Sequence, residues 1–324
     1  MGNSGRVTPV CWFTPVSLLG STIEKASIYN VAYIEKIKLD VGADVLVCKS
    51  NEIIPRVESV VTSTNTIVKP PTHCPCCNYE LVVVGENLIC QNTSSCSAQI
   101  VGRIKNWVSE LNLLEVGDKL IEKLVELNII TDIAGLYTLD VKQLSKLERL
   151  GVKSATNIVN SINSNLEIGL ETLIGGLSIP LIGTSTMKVV VEAGYDSLDK
   201  LFSAKPTDLE KIPGLGPARS LSLVKGLLSN KELIQKLVNH IKIKGKVQGV
   251  FTGASFAITG TLSRKRAEVE QMIVNAGGIV KSSVGKGLTY LIINDINSTS
   301  SKAVTAKKLG TKLLTEDDFF NLLK

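Results

Sequence analysis

The sequence has no run of 18 apolar residues, the length a bilayer-spanning helix requires, so nothing in it reads as a membrane span. Its first residues, Met1-Gly2-Asn3-Ser4-Gly5-Arg6, lack the apolar core of a secretory leader. Gly5 and Arg6 also stand where a myristoylation signal wants serine or threonine. There is no long Pro/Gly-rich or low-complexity tract, and 44% apolar against 20% charged residues is a globular balance. No sign of charge dominates, although the net +6 is unevenly spread. Residues 1–70 carry 7 basic against 6 acidic side chains, residues 71–240 carry 16 against 18, and residues 241–324 carry 13 against 6. The basic tail points mildly to an anionic partner, and a solvated surface accounts for it equally well.

What is present argues for several domains, because 324 residues exceed the about 250 that one core fills. Residues 7–13, 22–28, 45–48 and 57–68 are rich in Val, Ile and Thr, with Gly and Asn between them, and read as strands. Pro9, Pro15 and Pro55 suit strand ends or edges. Such short strands predict a small barrel over residues 1–69, of the OB-fold kind. From Ile100 to about His240 the pattern is helical, with Leu113, Leu120, Leu124 and Leu127 as an example of the spacing. Residues 242–253 hold three Gly and three Lys and read as a linker. Strand signals at 256–259, 279–280 and 288–293, a helix at 264–275 and a last helical stretch make residues 250–324 an α/β domain. The fold class is α+β and multidomain, with residues 101–240 all-α.

Seven cysteines without a leader point to a reducing, cytoplasmic setting, where cysteine spacing more often means metal than disulfide. Residues 70–100 concentrate them as Cys74-x2-Cys77-x12-Cys90-x5-Cys96. Four thiolates at about 2.3 Å complete the tetrahedral shell of Zn²⁺ and leave no open position, so the site is structural. Cys76 in place of Cys77, or His73 as a competitor, is an alternative register. Cys11 and Cys48 lie in strand-like runs and read as core residues.

The helical segment repeats. Gly117, Gly151, Gly183 and Gly216 are 34, 32 and 33 residues apart. Leu113, Leu147, Ile179 and Ile212 precede them by four, and Val116, Leu150, Ile182 and Leu215 by one. Leu124, Ile158, Val190 and Leu223 follow by seven. Ankyrin and tetratricopeptide arrays have this period, but their signature residues are absent. Helix, tight hairpin, helix is the better reading. In the fourth copy Gly214 and Gly216 permit a sharp turn, and Pro217 suits the first helical turn. Bare N–H groups at such helix starts bind phosphate, so a segment with more acid than base can still hold a nucleic-acid backbone, without reading sequence. Lys119, Lys153, Lys188 and Arg219 are placed to add ion pairs.

Taken together, these residues resemble the C-terminal half of NAD-dependent DNA ligases over essentially the whole chain. Gly2-Asn3-Ser4-Gly5-Arg6-Val7-Thr8-Pro9-Val10 is similar to that family's GRTGxxTPV opening of its OB-fold. Ile23-Glu24-Lys25-Ala26-Ser27-Ile28-Tyr29-Asn30 resembles VxRATLHN, while Val41-Gly42-Ala43-Asp44-Val45 and Glu52-Ile53-Ile54-Pro55 resemble IGDxV and DVIP. Four cysteines, four helix-hairpin-helix units and a closing BRCT-type domain follow in the family's order. Asn3 and Lys25 replace arginines, and Tyr29 replaces a histidine. Lys25 keeps the charge without the bidentate fork. The first three hairpins lack the first glycine of the usual pair. The resemblance implies DNA contacts at Lys25, Gly117, Gly151, Lys153, Gly183, Gly214, Gly216 and Arg219. It also implies a BRCT phosphate site at Thr259, Gly260 and Lys302, whose hydroxyl, N–H and ammonium would converge on one phosphate. The bland alternative is that these three maintain the fold.

Ligases of this family form a lysyl-AMP from NAD at a KxDG lysine, pass AMP to the 5′-phosphate of a nick, and seal by attack of the 3′-hydroxyl. No KxDG occurs here, and the nearest stretch, Lys38-Leu39-Asp40-Val41, lacks the glycine. The expectation is therefore a nick-binding subunit of a split ligase, active in DNA repair or replication. NAD and Mg²⁺ would enter only through an adenylating partner. A non-enzymatic nick- or branch-binding protein, or a BRCT-led phosphopeptide scaffold, is the competing expectation.

Overall fold

Inward Cys11 and Phe13 alternate with outward Val10 and Trp12 in the strand Val10–Leu18, which opens a small barrel. The computed structural model describes residues 2–51, 53–66, 68–245 and 249–323. Outside them lie Met1, Glu52 of the DVIP-like segment, Ile67, Lys246, Val247 and Gln248 of the expected linker, and Lys324. Two compact units, Met1–Ile243 and Lys244–Lys324, make up the chain.

In the barrel, Val10–Leu18 pairs antiparallel with Ser21–Ser27, and Asp44–Ser50 with Ile54–Thr62. One parallel bridge, Ser27 to Arg56, joins the hairpins into a four-stranded sheet with Val10–Leu18 and Asp44–Ser50 at its edges. Ala26, Ile28, Ile34, Leu39 and Val57 fill it. Pro15 falls at the register shift between Trp12 and Val16 on an edge strand, where no central ladder bond is lost. A short helix, Val31–Lys36, was not anticipated; the Asn30 side chain caps it by accepting the Tyr33 N–H at 2.8 Å.

Two barrel expectations need correction. Residues 7–13 are not one strand, because the chain breaks at Thr8-Pro9 and Arg6–Val7 pairs instead with Leu88 and Ile89 of the cysteine module. Gly5 makes that docking possible: its φ is +76°, and a Cβ there would strike the Cys90 carbonyl. The strand expected over 57–68 ends at Thr62, because Ser63, Thr64 and Asn65 turn to wrap the Asp40 carboxylate.

The cysteine module is a hairpin, Leu81–Val84 with Asn87–Cys90, extended by Arg6–Val7. Helix Ser97–Glu110 leads from it into a helical array whose apolar core runs from Ile100 to Ile241; residues 101–240 are not all-α as expected, because Glu167–Ile168 is a short strand. Asn3 packs its backbone against Gly102 of that helix, and its side-chain amide donates to Ser178 Oγ at 3.3 Å. The position where the family has arginine is thus an internal contact here.

The expected linker fails at both ends. Lys242–Ile243 forms a parallel pair with Glu167–Ile168, and Phe251 is buried in the second unit. That unit has a four-stranded parallel sheet in the order Ile279–Val280, Ser255–Thr259, Tyr290–Ile293, Lys312–Leu314. Helices Arg266–Asn275, Ser301–Lys308 and Glu316–Leu323 accompany it, and Phe251, Phe256 and Phe319 pack ring to ring in its core. Among the described residues no helix is long and apolar enough to cross a membrane.

Candidate metal centre and nucleic-acid interface

Cys74, Cys77, Cys90 and Cys96 converge so that their sulfurs all lie within 4.8 Å of one another. Cys74 and Cys96 sulfurs are 3.9 Å apart, and those of Cys77 and Cys90 are 3.6 Å apart. A tetrahedron of sulfurs about 2.3 Å from zinc has edges of about 3.8 Å, so the donor set fits the ion in both chemistry and size. Cys76 is exposed and outside the cluster; its N–H donates to Cys74 Sγ at 3.4 Å. His73 lies in an isolated bridge to Glu80 and is not part of the cluster either. Burial, with the neighbouring thiols, pushes the Cys90 thiol up to about 12. Burial opposes ionisation of Cys77 too, but hydrogen bonds from the Tyr79 N–H and neighbouring groups outweigh it and bring that thiol down to about 7. Packed thiols cannot all ionise without a cation to offset their repulsion. No spacing signal marks the buried Gln99, whose amide donates to the Cys90 and Asn92 carbonyls and ties the second cysteine pair to the first helix of the array.

The four repeated glycines open four helices: Asp118–Glu126, Val152–Asn163 and Thr184–Glu192 have Gly117, Gly151 and Gly183 as N-caps, and Gly216 begins Gly216–Ser229. None of the four starts has a side-chain cap. Elsewhere in the array Asp132, Asp140 and Ser197 cap Ile133–Thr138, Val141–Leu144 and Leu198–Ser203, whereas Ser97–Glu110, Leu170–Gly175, Pro206–Leu209 and Lys231–Val238 also lack a side-chain cap. The first three glycines have ordinary negative φ, and nothing lies within 4 Å of where a Cβ would stand. Neither backbone nor packing demands glycine there. What a missing side chain does provide is unobstructed approach to the helix-start N–H donors and the positive end of the helix dipole.

The turns themselves are the same fourfold. Val116, Leu150, Ile182 and Leu215 each donate N–H to the carbonyl three residues back, on Leu113, Leu147, Ile179 and Ile212. The third residue of the turn is left-handed in three copies: Arg149 at φ 65°, Leu181 at 66° and Gly214 at 86°. Two hairpins therefore make without glycine the turn for which the fourth uses it, at a cost of about 1–2 kcal/mol each. Glu115 is not left-handed, so the first hairpin is the one that differs. Arg149 brings an extra cation to the second tip, its side chain 90% exposed; only the turn's backbone identifies it. Lys119, Lys153 and Lys188 are exposed after their hairpins, whereas Arg219 folds back and donates to the Gly214 carbonyl at 2.7 Å. Hairpins three and four flank one shallow concavity of about 610 Å³, lined by Leu181 and residues 210–219.

On the barrel, Lys25 stands exposed in register with Trp12, its ammonium 5.5 Å from the ring centroid. Tyr29 is left-handed at φ 54° and accepts a hydrogen bond from Arg56 at 2.8 Å. The KxDG-like stretch is structural: Asp40 accepts from Ser63 Oγ at 2.5 Å, Thr64 N at 3.0 Å and Asn65 N at 2.8 Å. In the second unit Thr259 ends a central parallel strand and Gly260 follows at φ +84°. A Cβ on Gly260 would meet the Asn294 amide, and Lys302, in the first turn of its helix, donates to the Ser282 carbonyl at 2.8 Å. Asn294 and Ser282 are neighbours that sequence spacing does not reveal.

Comparison with known proteins gives each of these regions a counterpart. Residues 1–68 match the NAD-dependent DNA ligase OB-fold domain. Residues 111–164 and 172–227 match the SAM-like helix-hairpin-helix tandem, two hairpins in each stretch, and residues 246–323 match the BRCA1 C-terminus (BRCT) domain. A DNA ligase of Sorangium cellulosum is 41% identical over 99% of this chain and 48% of its own length. One of Treponema denticola is 36% identical over 98% of this chain and 50% of its own, and one of Nautilia profundicola is 33% identical over 100% and 50%. Along nearly its whole length the chain is thus similar to DNA ligases, and its first domain to the NAD-dependent kind. It spans about half the length of the curated relatives it matches. The barrel is thus an OB-fold of the NAD-dependent DNA ligase kind, the array a tandem helix-hairpin-helix domain, and the second unit a BRCT domain.

Proposed function

We propose that this chain is the DNA-gripping half of an NAD-dependent DNA ligase, holding nicked duplex while an adenylating module on a partner chain supplies activated AMP. The observation that carries the proposal is the set of four glycine-opened helix starts without side-chain caps, in a chain that also has the ligase OB-fold. Their N–H groups would hold successive phosphates without reading bases. Gly117, Gly151, Gly183, Gly214 and Gly216 line that contact, with Lys153, Arg149 and Arg219 beside it. The OB-fold would close over the nick and bring Lys25 to the backbone. Held in line, the 3′-hydroxyl and the activated 5′-phosphate gain the advantage of proximity, worth several kcal/mol.

Cys74, Cys77, Cys90 and Cys96 would hold one structural Zn²⁺, whose contribution is to fix the module between barrel and array. Thr259, Gly260 and Lys302 would take a phosphate on the BRCT domain once Lys302 leaves the Ser282 carbonyl. No KxDG lysine stands in these 324 residues. The lysyl-AMP step, and with it the need for NAD and Mg²⁺, is assigned to the partner.

The test is nick sealing with NAD, by an adenylating ligase module alone and with this chain added, alongside the intact mass of this chain after incubation with NAD. Stimulated sealing with no added AMP mass on the chain is expected. AMP on the isolated chain would mean an unrecognised nucleophile. Good nick binding that stimulates no adenylating module would instead favour a non-enzymatic nick- or branch-binding protein.

A further inference from the structure

Trp12 is 69% exposed, while Cys11 and Phe13 on either side of it turn into the barrel core. Leaving so large an apolar ring in water brings the fold nothing, and aromatic residues are only 4% of this chain. The ring is not bare, however. Lys25 is its cross-strand partner, with the ammonium 5.5 Å from the ring centroid. Val10, two residues earlier and on the same outward side, is 50% exposed. The edge strand therefore presents an apolar plate with a cation over it, which matches the two parts of a nucleotide: a flat base and a charged phosphate.

We propose that Trp12 is the residue by which this chain distinguishes a nick from continuous duplex, a proposal that rests on the DNA-gripping reading above. In continuous duplex each base face is covered by its neighbour, and the ring meets only sugar edges. A nick cuts one backbone at one step, so that step opens at lower cost than an intact one. The Trp12 ring then stacks on the uncovered base face while Lys25 pairs with the adjoining phosphate, as apolar wedges do where proteins open a base step. Lys25 contributes affinity for any duplex, and Trp12 contributes the preference for a break.

The protein carries its own reporter. Its other tryptophan, Trp107, is fully buried and donates to the Tyr137 hydroxyl at 3.0 Å, so exposed-indole fluorescence comes from Trp12 alone. The full chain is titrated with nicked and with continuous duplex of one sequence, following intrinsic fluorescence and affinity for wild type, Trp12→Ala, Trp12→Phe and Lys25→Ala. Nicked duplex should quench the emission and continuous duplex should not. Trp12→Ala should bind nicked duplex roughly tenfold more weakly and continuous duplex within about twofold of wild type. Trp12→Phe should recover part of the nick preference, and Lys25→Ala should weaken both duplexes alike. A Trp12→Ala protein that keeps the wild-type nick preference, or equal quenching by both duplexes, overturns the proposal while leaving the DNA-gripping reading intact. Wild type that binds neither duplex overturns both.

Discussion

The cysteine module and the helical array are neighbours in one unit, yet they are held together by different means. The buried cluster of the module consists of three cysteines and two leucines, Leu81 and Leu88. That of the array is a continuous apolar set, mostly Ile, Leu and Val, from Ile100 to Ile241. The first cannot hold its shape by apolar burial, because two leucines do not offset the chain entropy of a hairpin and its loops. The second needs no metal. On the proposed function, stability and function are separable: metal ligation would fix the module between barrel and array, and the helix starts of the array would serve DNA binding.

Removing the metal should produce the largest effect. Chelation, or Cys77→Ser or Cys90→Ser, should release one zinc per chain, since structural zinc contributes on the order of 10–16 kcal/mol to small modules. Hydrogen exchange should then lose protection over the Leu81–Val84 and Asn87–Cys90 strands and over Arg6–Val7 paired to them, while the array stays protected. Cys76→Ser should keep its metal. A chelated protein with a fully protected hairpin would show that the comparison is drawn wrongly. Next comes the array's own core. Leu124 is completely buried, and Leu124→Ala should destabilise the array by about 2–5 kcal/mol in denaturant titration without loss of zinc.

Smaller effects sharpen the contrast further. Leu181 is left-handed and 62% exposed, so Leu181→Gly relieves strain, gives up little burial and should leave the array at most about 1 kcal/mol more stable. A clear loss of stability would mean that the third turn is held by contacts of the Leu181 side chain. In the barrel, hydrogen bonds from Ser63, and then from Asn65 and Thr64, hold the Asp40 carboxyl below the ordinary value of 3.8. Its stabilisation is complete above that ordinary value and is lost as pH falls through the lowered one. Protection of Ile54–Thr62 should fall with acid more steeply in wild type than in Asp40→Asn. Parallel pH profiles would remove Asp40 from the account.

How much of this could be read beforehand depends on what the residues had to signal. The convergence of the four cysteines was legible because thiol spacing is nearly the whole geometry of such a cluster. The apolar frame of the hairpins was legible because Leu113, Ile179 and Ile212 recur in phase and all are buried. The left-handed turns were hidden in copies two and three, where Arg149 and Leu181 take the place of the expected glycine. Arg6–Val7 was assigned to the barrel because a two-residue strand has no periodicity of its own. Trp12 went unnoticed because its exposure depends on strand phase, although inward Cys11 and Phe13 imply it. The linker misled through composition: glycines and lysines at 242–253 concealed a paired strand at one end and buried Phe251 at the other.

The claim at the centre is that the hairpin helix starts grip nicked DNA, and Gly216 tests it most directly. At φ +59° with open space around it, Gly216 is where a side chain strains the turn and covers the N–H donors without meeting any other part of the protein. Affinity for one labelled nicked duplex, measured at a single fixed salt concentration, should be lower for Gly216→Val than for wild type by about 1–3 kcal/mol. Circular dichroism and zinc content should be unchanged. Equal affinity of the two proteins, both folded, would contradict the account.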